Sequence, residues 1–400
     1  MTASILAAVE MAPRDPILGV TEAFNADTNP NKVNLGVGVY YDDNGKIPLL
    51  ECVRRAERQL LENAPPRGYL PIDGLPEYDK QVQALVFGDS PARKEGRVIT
   101  VQALGGTGGL KVGADFLRRI DPGAEVWISD PSWENHRALF ENAGFTVRNY
   151  PYYDPATHGI RYQAMLEAFR SAKAGTILVL HACCHNPTGV DLSLPQWDEV
   201  LGVVKARGLI PFLDIAYQGF GDGLDADAEP VRRFAAAGIP VFVSNSFSKS
   251  FSLYGERVGA LSVVTASGEE GARVLSQLKR IVRTNYSNPP THGGKIVATA
   301  LASAELRALW EQELAQMRDR IKGMRKLLVE KIHARVPGAD FEFVIRQRGM
   351  FSYSGLSKDQ VGRLREEFSI YAIDSGRICV AALNSRNVEH VANGIAAVLR

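Results

Sequence analysis

The chain has 400 residues, 45% of them hydrophobic and 23% charged, the balance of an ordinary globular protein with room for one large domain and a smaller one. Its 46 basic and 45 acidic side chains leave a formal charge of +1, which gives no reason to expect nucleic acid or an anionic membrane as a partner. Cys52, Cys183, Cys184 and Cys379 form no CxxC pair, so neither a structural zinc site nor a disulfide framework is expected, and reduced thiols in a cytosolic protein fit best.

In chain order, Met1–Val20 holds Glu10, Arg14, Asp15 and two prolines. It lacks a basic start ahead of an apolar core, so no secretory signal is expected, and no run of about 18 apolar residues suggests a membrane span. Leu104-Gly105-Gly106-Thr107-Gly108-Gly109-Leu110 reads as a glycine turn before a helix at Lys111–Arg119. Amides at a helix N-terminus bind phosphate, and glycines permit close approach. The segment is neither a dinucleotide fingerprint, since Lys111 occupies the third glycine position, nor a P-loop; a plain turn is the alternative. Apolar runs at Val126–Ser129, Thr176–His181, Leu209–Ile215, Val241–Ser244 and Val258–Val264 are nearly continuous, as in strands buried on both faces. Helical patterns at Trp133–Asn142, Tyr162–Ala172, Leu194–Ala206 and Pro230–Ala237 alternate with them, and Gly144, Gly208 and Gly238 stand where left-handed C-caps belong. This rhythm predicts a mostly parallel sheet with helices on both sides. After Thr284 it changes: a long helix over Ala304–Arg335, β-rich stretches at Phe341–Ile345 and Met350–Gly355, a helix near Lys358–Glu367, a strand at Arg377–Val380 and a last helix at Asn387–Val398. That pattern predicts a smaller α+β domain, joined by the N-terminal region.

Four strand ends carry residues suited to chemistry. Asp130-Pro131-Ser132-Trp133-Glu134-Asn135-His136 follows one strand; Trp133 either packs in the core or flanks a flat ligand. His181-Ala-Cys-Cys-His-Asn186-Pro-Thr-Gly189 follows the next, and Asn186 can donate toward a ring oxygen or a carboxylate. Its histidines and cysteines also admit a metal, against which stands their crowding without a distant partner set. Asp214-Ile215-Ala216-Tyr217 closes the third. A carboxylate behind an apolar run needs a cation when buried, and a protonated pyridine nitrogen would serve; capping the following turn is the alternative. Ser246-Phe247-Ser248-Lys249-Ser250 closes the fourth, with Arg257 shortly after. A poorly hydrated lysine there becomes a nucleophile toward an aldehyde, and serines with an arginine hold phosphate; a solvated lysine at a loop edge is the alternative. Ligands bind beyond the carboxyl ends of strands in such sheets, so all these residues would meet at one edge.

In combination, SFSK…YGERVG, HNPTG, DIAYQGF, PSWENH and NLGVGVY, with Asp15-Pro16-Ile17-Leu18-Gly19 at the start, resemble the class I aminotransferases of the fold-type I pyridoxal-phosphate enzymes, and most closely the aspartate and aromatic subgroup. The resemblance runs over essentially the whole chain. It implies an α/β large domain with a mostly parallel seven-stranded sheet flanked by helices at 46–314, a smaller α+β domain of 15–45 and 315–400, and an N-terminal arm at 1–14. It implies pyridoxal 5′-phosphate held covalently on Lys249, which also shuttles the substrate proton. Asp214 would pair with the pyridine nitrogen, with His136 and His181 supporting it. Tyr217 and Asn186 would hold the ring oxygen, and Trp133 would lie by the ring. Gly106, Thr107, Ser246, Ser248 and Arg257 would hold the phosphate, joined by Tyr69 of a neighbouring copy. Arg377, Asn186 and Gly38 would bind the substrate α-carboxylate, and Arg283 would reach a partner's site to bind the distal carboxylate of a dicarboxylate. A cytoplasmic homodimer with shared sites and ping-pong exchange between amino acids and 2-oxo acids follows from the same resemblance.

Within the subgroup, Tyr41 and Ile47 favour a ring over a carboxylate, Thr107 and Asn288 look aspartate-like, and Gly68 fits neither pattern. The expectation is an aromatic amino acid aminotransferase of dual specificity, accepting Tyr and Phe as well as Asp and Glu with 2-oxoglutarate as acceptor; an aspartate aminotransferase is the alternative. A lyase on the same scaffold would lack the paired arginines. A non-enzymatic sensor would need an added DNA-binding module, and none is expected ahead of Asp15.

Overall fold

In a computed structural model that describes residues 4–12, 16–64, 66 and 68–400, the apolar runs of the middle of the chain lie side by side. Asp15 and parts of the expected N-terminal arm fall outside the described residues. Seven strands, β1 (Val98–Leu104), β2 (Glu125–Asp130), β3 (Thr146–Pro151), β4 (Ile177–His181), β5 (Ile210–Ile215), β6 (Val241–Ser246) and β7 (Val258–Val264), form one sheet in the order β1-β7-β6-β5-β4-β2-β3. All neighbours are parallel except β7, which runs antiparallel to both β1 and β6. The carboxyl ends of β1, β2, β4, β5 and β6 therefore share one edge, and β7 starts there.

Side chains alternate across this sheet, as the pleat requires. Val179, Phe212 and Phe242 enter one apolar cluster with Leu110, Phe116 and Phe140. Leu178, Leu180, Leu213 and Val243 enter the other with Phe234 and Trp310. Both faces are covered, which is why these strands read as unbroken apolar runs. The expected strands β4–β7 and β2 are present within two residues at each end; β1 and β3, which carry polar residues such as Thr100, Gln102, Arg148 and Asn149, escaped the apolar criterion.

Three expectations need correction. The glycine segment is not a turn ahead of a helix: the helix itself spans Gly105–Ile120. Its glycines let it lie directly on the sheet, since a Cβ on Gly109 would stand 2.7 Å from the Ala260 carbonyl oxygen and one on Gly113 would stand 2.6 Å from the Phe212 ring. The helix placed at Pro230–Ala237 starts earlier, at Leu224, with Pro230 inside it; Asp225 and Asp227 in its first turn favour the earlier start electrostatically. Phe341–Ile345, expected as β, is helical over Glu342–Arg346, its apolar residues Phe343 and Val344 turned inward. Elsewhere the expected helices lie within a residue or two of their predicted ends, and Gly144, Gly208 and Gly238 take positive φ.

The remainder of the chain brings distant segments to the same sheet edge. Val33–Asn34 pairs in parallel with Ile370–Tyr371, and Phe351–Tyr353 pairs antiparallel with Arg377–Cys379. The long helix spans Ala304–Arg335 as expected. Near its start, Trp310 stacks on Phe251 with centroids 4.6 Å apart and donates from its indole nitrogen to the Ser250 carbonyl at 2.7 Å. Further along, it packs on the last helix, Val388–Val398.

Candidate active site

At the shared strand edge lies a cavity of about 210 Å³ lined by Gly38, Gly106, Thr107, Trp133, His181, Asn186, Asp214, Tyr217, Ser246, Ser248, Lys249, Arg257 and Arg377, together with Ile17, Leu110, Ala216 and Phe351. Thirteen of these were singled out from the sequence, and they come from segments that are far apart in the chain.

Asp214 sits in β5 opposite His181 of β4 and Ser244 of β6. It is buried, and one carboxylate oxygen lies 2.9 Å from Nε2 of His136. The other His136 nitrogen contacts the Ser132 hydroxyl at 2.9 Å. Burial alone would push the Asp214 carboxyl up; the His136 hydrogen bond, with the nearby charge of Lys249, outweighs it and leaves the acid below its ordinary value. A buried carboxylate kept ionised beside an open cavity is suited to a cationic ring nitrogen. His181 does not hydrogen-bond Asp214: both its ring nitrogens are buried without a partner, and its ring lies 5.0 Å from that of His136. Burial, then the neighbouring His136, pushes His181 down to about 3, so it stands neutral.

Lys249 follows β6, three residues beyond Ser246. Its ammonium lies 5.0 Å from the Tyr217 ring centroid. Desolvation, then the charge of Arg257, lowers its pKa to about 8 against the pull of Asp214. A fraction of the amine is thus unprotonated near neutrality, the form that attacks carbonyls. Burial pushes the Tyr217 phenol up, so it remains a neutral donor.

On the other side of Lys249 the groups suit a dianion. The Gly105–Ile120 helix presents its first amides, at Gly106 and Thr107, to the cavity. Arg257, in a left-handed conformation with φ 54, reaches in from an exposed turn; its Nη1 donates to the Tyr254 carbonyl at 3.0 Å and lies 3.4 Å from the Ser248 hydroxyl. Ser246 accepts from the Ser248 amide at 3.2 Å. Gly105 takes a φ of +68, and a Cβ there would also crowd the Arg257 guanidinium at 2.5 Å, so the backbone favours glycine.

Arg377 is fully buried, and its Nε has no partner. Its guanidinium donates to the Gly36 carbonyl at 2.6 Å and the Asn186 side-chain oxygen at 3.3 Å, and lies 4.6 Å over the Phe351 ring. Gly38 packs against the same ring, where a Cβ would stand 2.7 Å away. Phe351 was not singled out from the sequence. Its position is set by the buried Arg325 of the long helix, which donates to the carbonyls of Val344, Gly349 and Phe351 and to the Ser352 hydroxyl. Ile17 and Leu110 were also missed as site residues; each reads as core in its own segment, and only the fold aims it at the cavity.

Tyr69, Arg283, Tyr41 and Ile47 are among the singled-out residues that do not line the cavity, as are Gly68, His136 and Asn288. Tyr69 is 94% exposed; Arg283 is exposed and bonds the Ser287 hydroxyl. Tyr41 is partly buried, its amide bonded to Ala381, and Ile47 is half exposed.

The sequence profile of the family described as aminotransferase class I and II matches residues 30–395. An aspartate aminotransferase of Pseudomonas aeruginosa is 63% identical over 99% of this chain and 100% of its own. An aromatic-amino-acid aminotransferase of Escherichia coli is 53% identical over 96% of this chain and 98% of its own. Among solved structures, an aromatic-amino-acid aminotransferase from Burkholderia pseudomallei, covalently bound to pyridoxal phosphate, superposes with a TM-score of 0.98 at 67% identity, covering 99% of this chain and 100% of that one.

Proposed function

The chain belongs to the class I and II aminotransferase family, and from that premise we propose that it exchanges amino groups between amino acids and 2-oxo acids with pyridoxal 5′-phosphate held covalently on Lys249. One observation carries the reading: an amine lowered to about 8, an ionised buried carboxylate and an anion cradle line one cavity. When bound, the cofactor supplies an electron sink for the charge left at the substrate α-carbon. Asp214, held by His136, stabilises a protonated ring nitrogen. Tyr217 and Asn186 donate toward the ring oxygen, and Trp133 flanks the ring. Gly106, Thr107, Ser246, Ser248 and Arg257 hold the phosphate. Lys249, as a neutral amine, would take the substrate α-proton and hold it for return on the same face. Arg377 offers its guanidinium to the substrate α-carboxylate, with Asn186 and the Gly38 amide completing the clamp; such paired hydrogen bonds fix orientation in a dry site.

The same reading gives Tyr69 and Arg283, which lie outside this cavity, to the site of a second copy: the first for the phosphate, the second for a distal carboxylate. It makes the working form a homodimer in the cytoplasm. It divides the chain into a large domain at 46–314 and a small one of 15–45 with 315–400, after an arm at 1–14. Ile17, Leu110, Trp133 and Phe351 give the cavity an apolar wall, which supports acceptance of Tyr and Phe alongside Asp and Glu, with 2-oxoglutarate as acceptor. The 63% identity to a relative named as an aspartate aminotransferase favours a second reading, aspartate as the preferred donor. Comparing kcat/KM for tyrosine and aspartate decides between them. Dual specificity predicts values within about tenfold; a preference for aspartate of about a hundredfold, or roughly 2.7 kcal/mol, overturns the aromatic reading.

A further inference from the structure

Behind the loop that carries Asn186, on the side away from the active-site cavity, Cys183, Cys184 and Asp227 converge. Their sulfur and carboxylate oxygen atoms all lie within 4.8 Å of one another, and all three residues are buried. Successive residues of an extended chain point to opposite sides; here Cys184 takes a left-handed φ of 51, which breaks the alternation and brings the two sulfurs to the same side. The Cys184 thiol also faces the Tyr217 carbonyl at 4.0 Å. The Asp227 carboxylate is fixed by the amides of Gly219 at 2.8 Å, Gly221 at 2.9 Å and Asp222 at 2.8 Å. No lysine or arginine forms an ion pair with it among the described residues. Three donated hydrogen bonds leave about one acceptor position of a carboxylate unused.

We propose that Cys183, Cys184 and Asp227 bind a thiophilic divalent cation of the zinc and cadmium class. Two sulfurs with one oxygen select such ions over magnesium or calcium, which prefer oxygen alone. The route in is a second cavity of about 450 Å³, on whose walls Cys183 and Asp227 stand with Asp191, Asp222, Asp225 and Glu229. Arg348 is the basic residue on that wall, and it is paired with Asp222 at 2.6 Å. A water in this cavity completes a tetrahedron. Histidine has no part in the site: His181 faces the active-site cavity, and both nitrogens of His185 are bound, one to Ser129 at 2.8 Å and one to Thr188 at 2.8 Å. Binding exchanges two S–H bonds for two S–metal bonds and releases two protons with no change of oxidation state.

The test is titration of the cofactor-loaded enzyme with cadmium chloride, following the thiolate-to-metal charge-transfer band. The expected result is a band saturating at one cadmium per chain, lost in Cys183→Ser and Cys184→Ser and kept in Cys52→Ser and Cys379→Ser. X-ray absorption on wild-type enzyme with bound cadmium asks the same question without a variant: two sulfur neighbours are expected. No band in the wild type, a band that survives loss of both thiols, or fewer than two sulfur neighbours overturns the proposal. The histidines of the active site cannot mimic this signal, because they bring no sulfur.

Discussion

Lys249 has a measurable consequence beyond activity. Its amine is lowered from 10.5 to about 8, so in the cofactor-free protein the buried charge is present in full below pH 8. Between about 8 and 10.5 the folded form has lost a proton that the unfolded chain still holds, so this residue's penalty shrinks as pH rises through that window. Lys249→Met should therefore stabilise the cofactor-free protein at pH 7 by up to about 3 kcal/mol, a net figure that already includes the attraction to Asp214 and is reduced by residual contact with the cavity. The gain should fade toward pH 10.5 in urea titrations, and a gain independent of pH would contradict it. The same variant should be inactive, since loss of a positioned proton carrier alone costs about 10²- to 10⁴-fold. Lysine and aspartate were legible because each is a charged residue at or shortly after the end of an apolar strand, a place where sequence alone creates a chemical problem. Phe351 was not legible: it is an aromatic among aromatics until Arg325, some two dozen residues upstream in the chain, pins it against Gly38 and Arg377.

At the scale of elements, the helix over Gly105–Ile120 lies on the sheet because its glycines carry no side chain. Gly109→Ala places a methyl 2.7 Å from the Ala260 carbonyl and the Ser244 hydroxyl; the first is backbone and cannot swing away. A cost of about 1–3 kcal/mol is expected, with weaker cofactor binding if, as proposed, the same helix presents the amides for the phosphate. Gly202, in the helix over Leu194–Arg207, has nothing within 4 Å. Gly202→Ala should leave cofactor affinity unchanged and stabilise by up to about 1 kcal/mol. Denaturant midpoints and cofactor titrations on both variants check the contrast; equal effects would contradict it. The glycine segment also shows why element boundaries were missed. Glycine signals a turn in an isolated sequence, whereas here close packing on Ala260 and Phe212 makes those five residues the first turn and a half, roughly, of a helix. In the same way Phe341–Ile345 alternates like a strand, but burial of Phe343 and Val344 is satisfied equally well by one helical turn.

For the whole molecule, the parallel core was readable since strands covered on both faces must be apolar throughout. The edge-ward strands β1 and β3, with polar residues among the apolar ones, were not. Residues proposed for a second copy's site cannot be placed by one chain at all: Tyr69 and Arg283 lie exposed here. If they complete a partner's site, mixing Lys249→Ala with Arg283→Ala protein under exchange conditions should restore dicarboxylate activity. Hybrid dimers hold one intact site each, so about a quarter of wild-type activity is expected; activity no higher than that of the unmixed variants would contradict shared sites. The central claim, amino transfer through a group carried on Lys249, is tested most directly by adding tyrosine alone to the cofactor-loaded enzyme and measuring oxo acid. A single turnover per chain that stops until 2-oxoglutarate is supplied is expected. The starting enzyme, reduced with borohydride, should carry the added mass on the peptide containing Lys249. Continued oxo acid release without acceptor, or a label on any other peptide, would contradict it.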